Sequence, residues 1–455
     1  MIENRAPYVA GRRVAVLGAA RSGSSVASLL RRQGADVFVS DSGPLGEAAK
    51  GLFVEQEIGF EEMGHSAQAW SGDFVVASPG VPDSAEPVRR ALEDGLKVYS
   101  EIEVSSWFCK APIVAITGSN GKTTTTNLLG HVFRMDGKET HVCGNVGIPF
   151  ADHADKAAKD DIIVLEVSSF QLDHIDRFQP EISILLNITP DHLDRYGNDV
   201  EHYAASKFRI CENQGEADTF IFNRDDERLA RFAAEKADGP RMLGISLKDE
   251  ENNAGFLRDR NLIVRINDQE EVIMQTEDLA LRGRHNVYNS LAAAVAARVV
   301  EVRSDVVRES LRSFEGVPHR LEAVREVDGV RYINDSKATN VNALWYALES
   351  FSEPVVLIAG GRDKGNDYAP LIPLMQTRVR ALITIGEAAE TIASELGEYV
   401  DDNVTTESLE EAVKLAHLLA KEGDIVLLSP ACASFDMFDS YEDRGSSFKQ
   451  IVSNL

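Results

Sequence analysis

The chain has 455 residues, too many for one ordinary core, so about three domains are expected. A composition of 44% hydrophobic and 26% charged residues is that of a soluble globular protein, and a net charge of −26 offers no general attraction for nucleic acid or anionic membrane. Cys109, Cys143, Cys211 and Cys432 are far apart and form no Cys-x-x-Cys pair, and neither a leader-like start nor a membrane-length apolar run is visible. A cytoplasmic location is therefore expected, with reduced thiols and no zinc site.

Three times along the chain a series of short apolar runs alternates with helical stretches, the pattern of parallel sheets covered by helices. Boundaries are expected near residues 100 and 316, dividing the chain into 1–100, 101–316 and 317–455. In the first series Arg13–Leu17, Val37–Ser40 and Phe74–Ala77 read as strands and Gly23–Arg32 as a helix. Between strand and helix lies GAARSG, Gly18 to Gly23, with Asp41 about one βα unit later. Ala20 replaces the middle glycine of the dinucleotide fingerprint, so the turn suits a nucleotide diphosphate at a helix N-terminus better than a nicotinamide.

The second series opens with Ile113–Thr117 and turns through GSNGK into a helix. Glycines let backbone amides approach a phosphate chain, and a lysine neutralises charge there, so Gly118, Asn120, Gly121, Lys122, Thr123 and Thr124 form the candidate phosphate site. Lys122 is the phosphate lysine and Thr123 the metal-ligating hydroxyl, although Ile116 stands where the full P-loop pattern has its first glycine. The strand Ile162–Glu166 brings a carboxylate to a strand end, where it can share a Mg²⁺ with Thr123. Another apolar run, Ile182–Asn187, leads to His192, and HYAASKFRI sets Lys207 on a helix. Alternating stretches between Gly239 and Leu281 predict a small antiparallel insert, followed by a helix over Val287–Val300.

A third series has strands near Tyr332–Asn334, Val355–Ala359, Ala381–Ile385 and Ile425–Leu428. The expected fold is α/β with three domains: a Rossmann-like N-terminal domain, a central P-loop ATPase-type parallel sheet with its antiparallel insert, and a Rossmann-like C-terminal domain.

TGSNGKTT, GNVGIP, LEVSSFQL, NITPDHLDRY, the Lys207 segment, RGRHNVYNSLAA, GVPHRLE, INDSKATN and SPACASFDMF follow one another in the order found in the Mur ligases, and the chain resembles that family over nearly its whole length. INDSKATN and SPACASFDMF resemble the branch that adds D-glutamate to UDP-N-acetylmuramoyl-L-alanine in peptidoglycan synthesis. Folylpolyglutamate synthetases share the P-loop but differ in these C-terminal stretches. A nucleotide-binding protein without catalysis is disfavoured by the joint presence of Lys122, Glu166, His192 and Lys207.

The resemblance implies ATP, two Mg²⁺ ions and an acyl-phosphate intermediate, with one chain as the working unit. Lys122, Glu166, His192 and Lys207 would be catalytic, and Thr123, Glu166, His192 and a carbamylated Lys207 would hold metal. Asn286 and Asn289 match the adenine-binding pair, and Arg320 and Asp335 the contacts to phosphate and ribose. Arg21, Ser22 and Ser42 match uridine-nucleotide contacts, and Asn145 and Ser168 contacts to the muramyl-alanine part. Lys337, Thr339, Lys364, Ser434, Phe435 and Tyr441 match the positions that hold glutamate, with Tyr441 where phenylalanine can occur.

Overall fold

A computed structural model describes residues 8–455 apart from Val146, Ala237 and Lys364. The first sheet contains β1 (Arg13–Leu17), β2 (Asp36–Ser40), β3 (Gly59–Glu61), β4 (Phe74–Ala77) and β5 (Val98–Ser100) in the order β3-β2-β1-β4-β5. Every pairing is parallel. Four consecutive buried residues in β1 and four in β4 explain why these strands read as unbroken apolar runs: helices cover both faces. The chain leaves β1 for β2 on one side and later returns to β4 on the other. The ends of β1 and β4 thus form the crevice where ligands enter an open parallel sheet.

The second sheet has nine strands: β6 (Ile113–Thr117), β7 (Thr140–Gly144), β8 (Ile162–Glu166), β9 (Ile182–Leu185), β10 (Thr219–Asn223), β11 (Arg241–Ile245), β12 (Asn253–Arg258), β13 (Asn261–Ile266) and β14 (Gln269–Gln275). Their order is β14-β13-β12-β11-β10-β9-β6-β8-β7. The antiparallel part expected from the alternating sequence is present as β12, β13 and β14, and it continues the main sheet at its edge. By contrast β11, inside the same stretch, pairs parallel with β10 because the helix Glu227–Glu235 makes the crossover between them.

The third sheet comprises β15 (Glu322–Val327), β16 (Val330–Asn334), β17 (Val355–Gly360), β18 (Val379–Ile385), β19 (Asp402–Thr405) and β20 (Ile425–Ala431), ordered β15-β16-β20-β17-β18-β19. Only β15 is antiparallel to its neighbour. Its hairpin turns on Asp328 and Gly329, both with positive φ, the Asp-Gly chemistry of a two-residue turn. The chain divides into two compact units, Met1–Glu277 with Tyr288–Leu311, and Asp278–Val287 with Arg312–Leu455; the first two sheets belong to the former. Among the described residues no helix is long and apolar enough to cross a membrane.

Candidate active site

At the end of β6 the chain turns through Gly118–Gly121 into the helix Lys122–Met135. Gly121 sits at φ +86°, and a Cβ there would lie 2.5 Å from Asn289 Oδ1, so neither the conformation nor the space admits a larger residue. No side chain caps this helix start. The Lys122 ammonium folds back over the turn and donates to the carbonyls of Gly118 and Ser119, each at 2.8 Å. Asn187 holds the loop from the neighbouring strand end, its Oδ1 accepting from the Asn120 amide. Thr123 and Thr124 are buried on the first turn, and the Thr124 hydroxyl is a buried group with no hydrogen-bond partner.

Lys207 reaches the same turn from the helix Val200–Phe208, its Nζ donating to the Gly118 carbonyl at 3.0 Å and lying 4.5 Å over the Tyr203 ring. It is only 1% exposed. Burial, and then the nearby Lys122 cation, push its pKa well below the ordinary lysine value, against the opposing pull of Asp191, Asp173 and Glu166. Two amines therefore share one carbonyl oxygen, an arrangement eased when one is neutral. Glu166 ends β8 with 2% exposure, and the Asn145 side-chain amide approaches its Oε1 at 3.4 Å. Among the described residues no group of three or more His, Cys, Asp or Glu side chains could hold a metal unaided. His192, in a left-handed conformation at φ +52°, is exposed, with its ring edge-on to Phe170 at 6.3 Å.

A cavity of about 420 Å³ opens at the crevice of the first sheet. Arg21, Ser22, Asp41 and Ser42 line one side, and Gly144, Asn145, Gly147 and Pro149 of the second sheet line the other. The turn after β1 is tight: a Cβ on Gly23 would fall 1.8 Å from the Gly18 carbonyl. Asp41 accepts from the Ala19 amide at 2.7 Å and the Gly43 amide at 2.8 Å, which fixes the two loops together. Ser168, buried at the start of the short helix Ser169–Leu172, has its amide satisfied by Gln171 Oε1 and is absent from the cavity wall.

Asn286 and Asn289 are both buried on the helix Arg284–Val299, one turn apart. In the second unit, Asp335 follows β16 and accepts from the Ser429 hydroxyl and the Leu321 amide; burial pushes its carboxyl up to about 6, opposed by the charge of Arg320. The Arg320 Nε is buried without a hydrogen-bond partner. Lys337 lies over the Tyr441 ring at 5.3 Å, and Thr339 follows in the same loop, beyond β16. Beyond β20, Ser434 is buried while Phe435 is 64% exposed. Lys364 lies outside the described residues.

Some residues of these surroundings have no sequence signal. Arg444, buried on the helix Tyr441–Ser453, donates to the Ser336 hydroxyl and to the carbonyls of Ser336, Gly360, Cys432 and Ala433. In sequence it looks like any helix arginine. His65 and Ser78, which line the cavity of the first sheet, are equally silent.

A strand–glycine turn–helix of the kind that suits phosphate, a second α/β sheet with a ligand-sized cavity, and a third α/β sheet define a multidomain α/β protein built like the nucleotide-binding ones. Family models match in the same order: the MurD N-terminal domain over residues 13–86, the Mur ligase middle domain over 116–297 and the Mur ligase glutamate ligase domain over 319–432. The chain belongs to the Mur ligase family and is a ligase. It is 52% identical to the UDP-N-acetylmuramoylalanine–D-glutamate ligase of Salinibacter ruber, over 97% of this chain and 98% of the relative. It is 45% identical to the enzyme of that name from Christiangramia forsetii, over 98% of this chain and 100% of the relative. Among solved structures it is similar in fold to the UDP-N-acetylmuramate–alanine ligase of Thermotoga maritima, with TM-score 0.62 and 21% identity over 97% of this chain and 99% of that one.

Proposed function

We propose that the chain joins D-glutamate to UDP-N-acetylmuramoyl-L-alanine at the expense of ATP, through an acyl phosphate. The observation that carries this reading is Asn145. It lines the cavity of the first sheet, and its amide also approaches Glu166 at the end of β8, beside the phosphate turn. A precursor held in the cavity thus has a route to the ATP γ-phosphate.

On this reading residues 1–100 hold the UDP part through Arg21, Ser22 and Ser42, with Asn145 at the muramyl-alanine end; Ser168, off the cavity wall, is a further contact only by the family resemblance. Residues 101–316 hold ATP at Gly118, Asn120, Gly121, Lys122, Thr123 and Thr124, with Asn286 and Asn289 at adenine. Residues 317–455 hold glutamate at Lys337, Thr339, Lys364, Ser434, Phe435 and Tyr441, and the family resemblance gives Arg320 and Asp335 as contacts to ATP phosphate and ribose.

A carboxylate is a poor acyl donor because its charge repels a nucleophile and oxide leaves badly. Phosphorylation removes both obstacles, and the amine of glutamate then displaces phosphate. The protein's part is mainly positioning and charge neutralisation. Lys122 would leave the loop carbonyls for the phosphates. Mg²⁺, when bound, neutralises phosphate charge. The hard oxygen donors of Thr123 and Glu166 fit it, with His192 and Lys207 for a second ion.

An ammonium at Lys207 has no lone pair to offer a cation. A neutral amine adds carbon dioxide, releasing a proton and leaving a carbamate with two oxygens. Burial that lowers the Lys207 pKa supports that modification. ATP and nucleotide-linked precursors are cytoplasmic compounds, so the reading places the enzyme there. One chain supplies every residue named, so a monomer suffices.

The test is phosphate release in the presence of ATP, Mg²⁺ and UDP-N-acetylmuramoyl-L-alanine with each glutamate enantiomer, the other natural amino acids serving as controls. D-glutamate alone should support turnover. Preference for L-glutamate or another amino acid would refute the assignment.

A further inference from the structure

Two adjacent carboxylates just beyond β10, Asp225 and Asp226, are left unused by the reaction scheme. Asp226 caps the helix Glu227–Glu235, its Oδ1 accepting from the Arg228 amide at 3.0 Å, and its Oδ2 accepts from the Ile188 amide at 2.8 Å. Ile188 follows Asn187, whose side chain grips Asn120 of the phosphate turn through both its oxygen and its amide. Asp226 is thus tied to the phosphate end of the proposed nucleotide site. Asp225 is tied to the helix Arg284–Val299. Its Oδ2 accepts from the Tyr288 hydroxyl at 2.7 Å and the Leu247 amide at 2.9 Å, and its Oδ1 accepts from the Ser246 hydroxyl at 2.8 Å. Burial acts to raise the Asp225 pKa, but the bonds from Leu247, Tyr288 and Ser246 outweigh it and hold the carboxyl below its ordinary value. The Tyr288 hydroxyl therefore donates to a charged acceptor, the stronger kind of hydrogen bond.

The helix that carries Tyr288 needs such a hold. Leu291 to Ala297 are seven consecutive buried residues, five of them alanine. A helix that is apolar all round has no face of its own to turn inward, and small side chains interlock weakly, so packing fixes its rotation loosely. Asn289 lies one residue beyond Tyr288, about 100° further round the axis. It is buried against the phosphate turn, where a Cβ on Gly121 would meet its Oδ1 at 2.5 Å. Turning the helix by about 20° would carry a side-chain end about 5 Å from the axis through about 2 Å, more than a hydrogen bond tolerates.

We propose that Asp225 is a positioning residue for ATP: through the Tyr288 hydroxyl it sets the rotation of the helix Arg284–Val299 and so aims the Asn289 amide at the adenine. The inference rests on the reading of Asn289 as an adenine contact and of the turn after β6 as the ATP phosphate site. With Asp226 holding that turn, a single strand end fixes the spacing of the two parts that ATP must span.

The test is calorimetric binding of ADP with Mg²⁺ to the wild-type protein and to Tyr288→Phe, Asp225→Asn, the double variant and Ser246→Ala. Tyr288→Phe deletes one hydroxyl and keeps the ring, and should weaken ADP binding about five- to tenfold; Asp225→Asn should do the same. The double variant should bind no more weakly than Asp225→Asn, because both changes remove one link. Ser246→Ala takes a different donor from the same carboxylate without touching the helix, and should stay within about twofold of wild type. In steady state Tyr288→Phe should raise the Michaelis constant for ATP, leave that for D-glutamate unmoved, and regain near wild-type turnover at saturating ATP. Tyr288→Phe decides the matter alone should Asp225→Asn fail to fold.

Wild-type affinity for ADP in Tyr288→Phe would overturn the proposal. Additive losses in the double variant, or a loss in Ser246→Ala as large as that in Tyr288→Phe, would do the same, since the network would then act on stability at large and not through one link. A wild-type protein that binds no ADP would sink the reading of the ATP site itself, a result distinct from ADP binding that ignores Tyr288.

Discussion

Two turns of the first unit share one backbone plan. Each leaves the end of a parallel strand, β1 or β6, passes a glycine of positive φ, and enters a helix whose start no side chain caps. Their surroundings differ. Beside the turn after β1 the cation is Arg21, an exposed side chain whose guanidinium reaches the Gly147 carbonyl across the cavity at 3.4 Å. Around the turn after β6, two lysines converge on the Gly118 carbonyl, one of them fully buried, with a buried carboxylate ending the adjacent strand. An amide-lined turn is enough to hold a diphosphate. Moving a phosphoryl group also needs charge packed tightly where water is excluded.

The largest expected effect separates the two turns at Lys207. Lys207→Arg keeps positive charge and reach but should carry no stable carbamate, so ligation should fall by about a hundredfold or more, as when one preorganised electrostatic group is lost. Lys207→Ala should regain activity with added formate. Full activity of Lys207→Arg would show that the second turn needs only a cation there.

A smaller effect is expected at the first turn. Arg21→Ala removes a half of a charge-assisted contact to the diphosphate, and should raise the Michaelis constant for the UDP precursor about tenfold while leaving the turnover number nearly unchanged. A fall in turnover with an unchanged Michaelis constant would erase the division between holding and transfer.

The last effect is on stability rather than activity, and concerns the wall between the two. Glu101 is buried, accepts from the Ala151 amide at 2.7 Å just behind the Gly144–Pro149 wall of the cavity, and has its carboxyl pushed up to about 7 by burial. A raised carboxyl pKa favours the folded state below the unfolded value, and that stability is lost as pH rises through the folded one. Relative to Glu101→Gln, the wild-type protein should thus lose up to about 3 kcal/mol between pH 4.5 and pH 7. Parallel melting curves of the two proteins across this range would contradict the placement of that carboxyl.

The strands that bear these turns were legible because burial on both faces leaves unbroken apolar runs: Arg13–Leu17, Phe74–Ala77, Ile113–Thr117 and Ile162–Glu166 have the bounds the sequence suggests. Strand ends are less visible. The run expected to reach Asn187 stops as a strand at Leu185, since Asn187 turns to hold the phosphate loop. Short edge strands such as Gly59–Glu61 carry too little pattern to be seen, and with them went the contacts of Ser40 with Glu61 and His65, which exist only through the pairing of β2 and β3. The burial of Lys207 was likewise invisible in HYAASKFRI, because it depends on a turn 89 residues earlier. The glycine turn itself is legible because Gly118, Asn120, Gly121, Lys122, Thr123 and Thr124 lie within one short stretch, whereas the groups that converge on it from Asn187 and Lys207 do not.

In the proposed reaction a phosphoryl group passes from the second turn to a precursor held at the first, before glutamate arrives. The direct measurement is reductive trapping: enzyme, ATP, Mg²⁺ and UDP-N-acetylmuramoyl-L-alanine are mixed without glutamate, quenched with borohydride, and the products read by mass spectrometry. The alaninol derivative of the precursor should form with the wild-type protein and not with Lys122→Ala. Turnover with D-glutamate, but no reducible precursor in its absence, would contradict this order of events.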